Sequence, residues 1–358
     1  MNQSIQVEKQ NIYKISQHSD ELAPLQAGEI RFKIDKYALT SNNITYAVSG
    51  FKLKYWNFFP VNEPNGVIPV WGYADVSESN HPDVKVGERC YGYFPMSDYL
   101  TIQPSKINKY GFSDGAEHRR KLAPIYNYYS KTATDPTFNE HTEGYIPIVK
   151  PLFATSFLIY HYLKKSNFLE ADQVILTSAS SKTGLGLAFM LKQNQDTDGK
   201  KIIGLTSTRN VEFVKSTGYY DQVIAYEDYV KDLAKDASVI VDFAGNAKQI
   251  KKLSETLGDA LKFISLVGLT DWKSAGSFSK VEKAEFFFAP THIQNMYKEQ
   301  GSEKTNMILN KNLVQFIIDT KKMIELEAIN DFEKLSTIYL GMVDGKVNPK
   351  KGYLVSIK

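Results

Sequence analysis

A single cysteine, Cys90, stands among 358 residues, which excludes an intramolecular disulfide and any zinc site built on several thiolates. Neither sign of charge is in large excess. The 43 Lys and Arg against 40 Asp and Glu leave a net charge of +3, so nucleic acid is not expected as a partner. The opening stretch MNQSIQVEKQ lacks the basic and then apolar order of a secretory leader. No apolar run approaches the roughly 20 residues that cross a bilayer. His18, His81, His118, His141, His161 and His292 are scattered, without the spacing of a metal-binding motif such as HExxH. These absences predict a cytoplasmic protein with no membrane partner and no bound metal.

What is present divides the chain by pattern. Through about residue 110, short stretches alternate apolar and polar residues, as in EIRFKIDKYALT, GVIPVWGYADVSES and RCYGYFPMSDYLTIQP. Pro, Gly and Asn clusters separate them, which predicts a β-rich barrel or sandwich. From Phe112 to Pro147 the sequence is polar, proline-punctuated and rich in tyrosine, and either an irregular insertion or a helix with a long loop is expected. PLFATSFLIYHYLKK then has helical spacing and a basic end.

Beyond Asp172 the pattern becomes α/β. The strands QVILTS, KIIGLTS, DQVIAY, ASVIVDFAG and LKFISLVGL are almost continuously apolar, which means burial on both faces of a parallel sheet covered by helices. NLVQFIIDTKKMIELEAI and DFEKLSTIYLGMVDG read as helices, and GYLVSIK as a last strand.

The first strand-turn-helix of such a sheet cradles a pyrophosphate when small residues let backbone amides approach it. Here the turn is TSASSKTGLG. Ala179, Ser180 and Ser181 are small, Gly184 lets the helix pack closely, and the Ser181 and Thr183 hydroxyls with Lys182 can add phosphate contacts. The plain alternative is a serine-capped turn with no ligand. The second strand ends in Ser207, Thr208 and Arg209, with no carboxylate for a ribose 2′-hydroxyl. Hydroxyls and a guanidinium suit a 2′-phosphate, so NADP(H) is the expected cofactor. VDFAGN and LVGLT place Gly245 and Gly268 at two further strand ends.

With DVKVGERCYGYFP and GLTSTRNVEFVKSTGYYDQVIAY, this order of parts resembles the medium-chain dehydrogenase/reductase superfamily, in particular its zinc-free quinone-oxidoreductase-like branch. ALTSNNITYAVSG, YWNFFP and PVWGYADV further resemble a bacterial branch of unknown function. The resemblance implies a GroES-like domain over residues 1–150, completed by 308–358, and a Rossmann-type doubly wound domain over 151–307, with the catalytic cleft between them. It also implies a homodimer and a small-molecule substrate. Cofactor contacts carry over to Ser180–Gly184, to Ser207 and Arg209, to Tyr226, to Ala244 and Gly245, and to Val267 and Gly268.

The stretches where zinc-dependent members hold their ligands, LTSNNITYAVSG and WGYADV, have no Cys, His or Glu. Hydride transfer without a metal still requires a group that polarises the acceptor. Asn42, Asn43, Thr45 and Tyr46 are the polar groups of SNNITY. Asn43 as amide donor and Tyr46 as phenolic donor lead, against the alternative of a polar turn. Tyr126, Tyr128 and Tyr129 in the insertion, with Lys131 beside them, form a second set that also reads as a packing cluster. Tyr55, Trp56, Phe58 and Phe59 make either an apolar substrate wall or core. The expected activity is zinc-independent, NADPH-dependent reduction of an activated C=C or C=O. The alternative is a non-catalytic or regulatory binding protein that retains the fold.

Overall fold

The computed structural model describes residues 1–268 and 282–357. The chain divides into two compact units: residues 1–148 with 325–358, and residues 149–324.

The first unit is mainly antiparallel. β1 (Asn2–Glu8) pairs with β2 (Asn11–Asp20) and with β4 (Asn65–Gly66). The larger sheet is built on β3 (Ile30–Leu39), β5 (Pro69–Ser79), β6 (Arg89–Pro95), β7 (Tyr99–Ile102), β8 (Pro104–Asn108), β9 (Gly111–Asp114) and β10 (Tyr128–Lys131). β17 (Glu325–Ile329), α10 (Phe332–Val343) and β18 (Lys351–Val355) bring the chain back, and β18 pairs with β3. The alternation in IRFKIDKYAL and PVWGYADVSES becomes strands as expected, and Phe32, Val70, Tyr73, Tyr93 and Phe94 fill the core.

The structure departs from three local readings, the first of them an alternative. SNNITY is a helix, α1 (Ser41–Val48), and not a polar turn. The Asn43 side chain starts it by accepting hydrogen bonds from the Thr40 amide and hydroxyl, as an N3 glutamine does in a capping box. The segment after Phe112 contains β10, whose Tyr129 is fully buried, so part of the insertion belongs to the sheet and the core. In NLVQFIIDTKKMIELEAI the helix stops at Met323 and ELEAI is β17. The paired Lys321 and Lys322 mark that stop, since cations favour a helix C-terminus. Residue 308 therefore lies within a helix, and the return to the first unit comes at Glu325.

The second unit begins along α2 (Ile146–Lys165). Against the expectation that no apolar run reaches bilayer-spanning length, this 20-residue helix is apolar enough by length and composition to cross a membrane, but 61% of that stretch is buried. Phe153 stacks on Phe316 at 5.0 Å, as a core helix does. Then come β11 (Gln173–Leu176), α3 (Lys182–Gln193), α4 (Gln195–Asp198), β12 (Lys201–Thr206), α5 (Val211–Ser216), β13 (Gln222–Ala225), α6 (Tyr229–Asp232), β14 (Ser238–Asp242), α7 (Ala247–Leu257), β15 (Leu261–Leu266) and β16 (Ala284–Phe286). Helices α8 (Ala289–Gln300) and α9 (Ser302–Met323) follow. All strand pairs are parallel, in the order β13-β12-β11-β14-β15-β16. That order reverses direction at β11 and β14, the switch point where doubly wound sheets bind ligands.

Candidate functional site

Four strand ends build the site of the second unit. After β11 the chain turns at Ser178, whose φ of 45° lies in the left-handed region that favours glycine. The turn thus keeps the backbone of a glycine turn with a serine in place. Two tyrosines hold it: the Ser178 amide donates to the Tyr226 hydroxyl at 2.6 Å, and the Tyr220 hydroxyl donates to the Ala179 carbonyl at 2.9 Å. Ser181 caps α3, its hydroxyl accepting from the Gly184 amide at 3.0 Å. A Cβ on Gly184 would come within 3.0 Å of the Ser178 carbonyl oxygen, so the helix sits as close to the turn as a glycine allows. Desolvation pulls the Lys182 ammonium down to about 8 at this helix start.

The loop after β12 lies beside this turn. Asn210 donates to the Ser180 hydroxyl at 3.1 Å, and the Thr208 hydroxyl donates to Glu227 at 2.9 Å. Ser180, Thr208, Tyr226 and the turn are therefore brought together.

The remaining candidates converge on a residue that the sequence reading did not single out. Asp242, fully buried at the end of β14, accepts the Thr177 hydroxyl through one carboxylate oxygen. The same oxygen accepts the Ala244 amide at 3.1 Å, and its partner oxygen accepts the Gly245 amide at 3.0 Å. Its backbone carbonyl accepts the amides of Val267 and Gly268 at 2.9 and 3.1 Å. The amides of these four candidates are thus all bound to Asp242. A Cβ on Gly268 would collide with the Phe243 backbone, so only glycine fits there. Thr270 of LVGLT lies outside the described residues. The aspartate in VDFAGN was visible, but only the fold shows that it braces two neighbouring strand ends.

In the first unit, α1 and β5 position a phenol. The Tyr46 oxygen accepts hydrogen bonds from Asn42 Nδ2 at 2.7 Å and from Trp71 Nε1 at 3.1 Å. Burial pushes the Tyr46 pKa well up, helped by Tyr55, while the Trp71 and Asn42 hydrogen bonds act the other way. Tyr46 is therefore neutral at physiological pH and keeps its hydroxyl proton. Asn43 is committed to local structure: its oxygen holds Thr40 and its Nδ2 donates to the Pro69 carbonyl at 2.9 Å. The Tyr55 and Tyr126 hydroxyls meet at 3.2 Å beside Tyr46, and both rings pack on it.

The other aromatic candidates lie in the packed interior. Trp56 fills the space left by Gly50 and Gly66, and Phe59 lies under the Arg119 guanidinium. Tyr129 is held by Arg119 Nη1 at 2.8 Å and donates to the Tyr93 carbonyl at 3.1 Å. Lys131 pairs with Glu88 at 2.9 Å. Arg119, almost fully buried, also binds Asn127, Asp114 and the Tyr126 carbonyl, and so fixes the tyrosine segment to the sheet. Among the described residues, no group of three or more His, Cys, Asp or Glu is placed to hold a metal.

A β-rich unit completed by returning strands, joined to a doubly wound parallel sheet, is the medium-chain dehydrogenase/reductase fold. Within that class, the chain belongs to the family described as protein of unknown function (DUF2855), whose model matches residues 37–348. The structure is similar to that of CurA from Vibrio vulnificus in complex with NADPH, with a TM-score of 0.60 at 14% identity, covering 99% of each chain. It is also similar to the quinone oxidoreductase from Coxiella burnetii (TM-score 0.58, 15% identity, 100% of this chain and 99% of that one). A third similar structure is the yhdH oxidoreductase from Salmonella enterica in complex with NADP (TM-score 0.56, 13% identity, 99% and 100%). No curated protein matches the sequence.

Proposed function

We propose that the chain is a zinc-independent, NADPH-dependent reductase of small molecules that carry an activated C=C or C=O. The observation that carries this reading is the turn after β11. It holds a glycine-type conformation at Ser178, at the switch point of the sheet, leading into the N-terminus of α3. The similar structures from Vibrio vulnificus and Salmonella enterica are complexes with NADPH and NADP, in keeping with this reading.

The residues present fit a dinucleotide. The start of α3 presents amides and the positive end of the helix dipole to the pyrophosphate, and Lys182 adds a charge. Ser207, Thr208 and Arg209 would hold the 2′-phosphate, and the carbonyls after β14 and β15 would hold the carboxamide end. When bound, the cofactor supplies a hydride.

In the first unit, Asn42 and Trp71 occupy the acceptor side of the Tyr46 oxygen, so the Tyr46 hydroxyl proton is the group left to give. It donates a hydrogen bond to the acceptor oxygen on which negative charge develops. Tyr55 and Tyr126 support that phenol from beside it.

A screen of NADPH oxidation over quinones, enones and aldehydes tests the proposal, with turnover expected on at least one class. NADPH binding without turnover on any of them favours the non-catalytic reading instead.

A further inference from the structure

The cofactor preference read from the sequence rested on the lack of a carboxylate at the end of the second strand. The fold supplies one from the neighbouring strand. β12 and β13 run parallel in register, with Thr206 opposite Ala225, and the Tyr226 amide donates to the Thr206 carbonyl at 2.9 Å. One residue further on, Glu227 Oε2 accepts the Thr208 hydroxyl at 2.9 Å. The loop that offers hydroxyls and a guanidinium therefore borders a carboxylate as well. Both partners are exposed, so the contact can open without loss of packing.

At this edge of a dinucleotide domain, a carboxylate accepts the ribose 2′-hydroxyl and repels a 2′-phosphate. We propose that Glu227 is a specificity-determining residue of the cofactor site: it accepts the 2′-hydroxyl of NADH and opposes the 2′-phosphate of NADPH. The chain then takes both dinucleotides, and Arg209 against Glu227 sets their ratio. This rests on the reading that the second unit binds NADP(H). With NADH, Glu227 stays near Thr208 and gains a second donor. With NADPH, the Thr208 hydroxyl turns to the phosphate and Glu227 moves into water.

The test is the dissociation constant of NADPH and of NADH, measured by calorimetry on the whole chain and on Glu227→Gln. Glutamine keeps an oxygen for Thr208 and removes only the charge, so the loop stays tied. The variant is expected to bind NADPH roughly threefold to tenfold tighter and NADH weaker, shifting the ratio in one direction. Equal changes for both cofactors, or none, overturn the proposal while leaving the cofactor reading intact. If the unaltered chain binds neither dinucleotide, the cofactor reading falls and this proposal falls with it.

Discussion

The Tyr226 hydroxyl accepts the Ser178 amide at 2.6 Å, so the end of β13 holds the turn after β11 in its left-handed shape. Tyr226→Phe leaves that amide without its partner and is expected to cost about 1–3 kcal/mol of stability. At Ser178 itself, glycine relieves a strained backbone at some entropic cost, so Ser178→Gly is expected within about 1 kcal/mol of the unaltered chain. Ser178→Val places a β-branched side chain in the same conformation and is expected to lose about 1–3 kcal/mol. Urea unfolding followed by circular dichroism measures all three.

Asp242 gathers the Thr177 hydroxyl and the amides of Ala244 and Gly245 in a site without water access. Asp242→Ala removes the acceptor shared by three donors, of which the Ala244 amide keeps a longer bond to Thr177 Oγ1 at 3.4 Å, with an expected loss of about 3–5 kcal/mol. Thr177→Val removes one donor from the carboxylate and the hydroxyl that accepts the Phe243 amide at 3.0 Å, and is expected to lose about 1–3 kcal/mol. Thermal unfolding should rank the two in that order.

Lys182 gives a pH signature. Its pKa of about 8 in the unliganded chain rises when a phosphate sits opposite it. Below about pH 8 the ammonium is charged before and after binding, and affinity is flat. As pH rises through 8 toward the higher bound value, the free chain loses the proton that the complex keeps, so NADPH affinity falls and binding takes up a proton. Calorimetry in buffers of different ionisation enthalpy measures that uptake. Lys182→Met is expected to abolish it and to weaken NADPH roughly tenfold at neutral pH.

The two donors on the Tyr46 oxygen predict a directional effect in the first unit. Asn42→Ala removes one donor. Asn42→Asp keeps the shape but offers an acceptor that draws the Tyr46 proton to itself. The aspartate variant should therefore lose more kcat than the alanine variant, with KM and NADPH affinity little changed, and Trp71→Phe should fall between them. Equal losses in kcat for the two Asn42 variants mean that Asn42 only fills space.

Much of this was legible because strand patterning is set locally. Near-continuous apolar strands gave the parallel sheet, since burial on both faces follows directly from residue order, and alternation marked IRFKIDKYAL as a strand. The hydroxyl-rich loops after β11 and β12 were visible for the same reason. The α1 cap was harder to read, because Asn43 performs a role usually given to glutamate or glutamine. β17 was hidden because no Gly or Pro breaks TKKMIELEAI, so nothing local separates the strand from the helix before it. Asp242 and Glu227 act across strands far apart in sequence, so their roles depend on the order of strands in the sheet, which no local pattern encodes.

The central claim is that the turn after β11 and the loop after β12 hold NADP(H), and equilibrium titration of the whole chain with NADPH tests it most directly. The account predicts saturable binding at one site per chain, weakened roughly tenfold or more by Arg209→Glu, while NADH is affected far less. Failure of the unaltered chain to saturate, or an equal loss of both cofactors in Arg209→Glu, would contradict it.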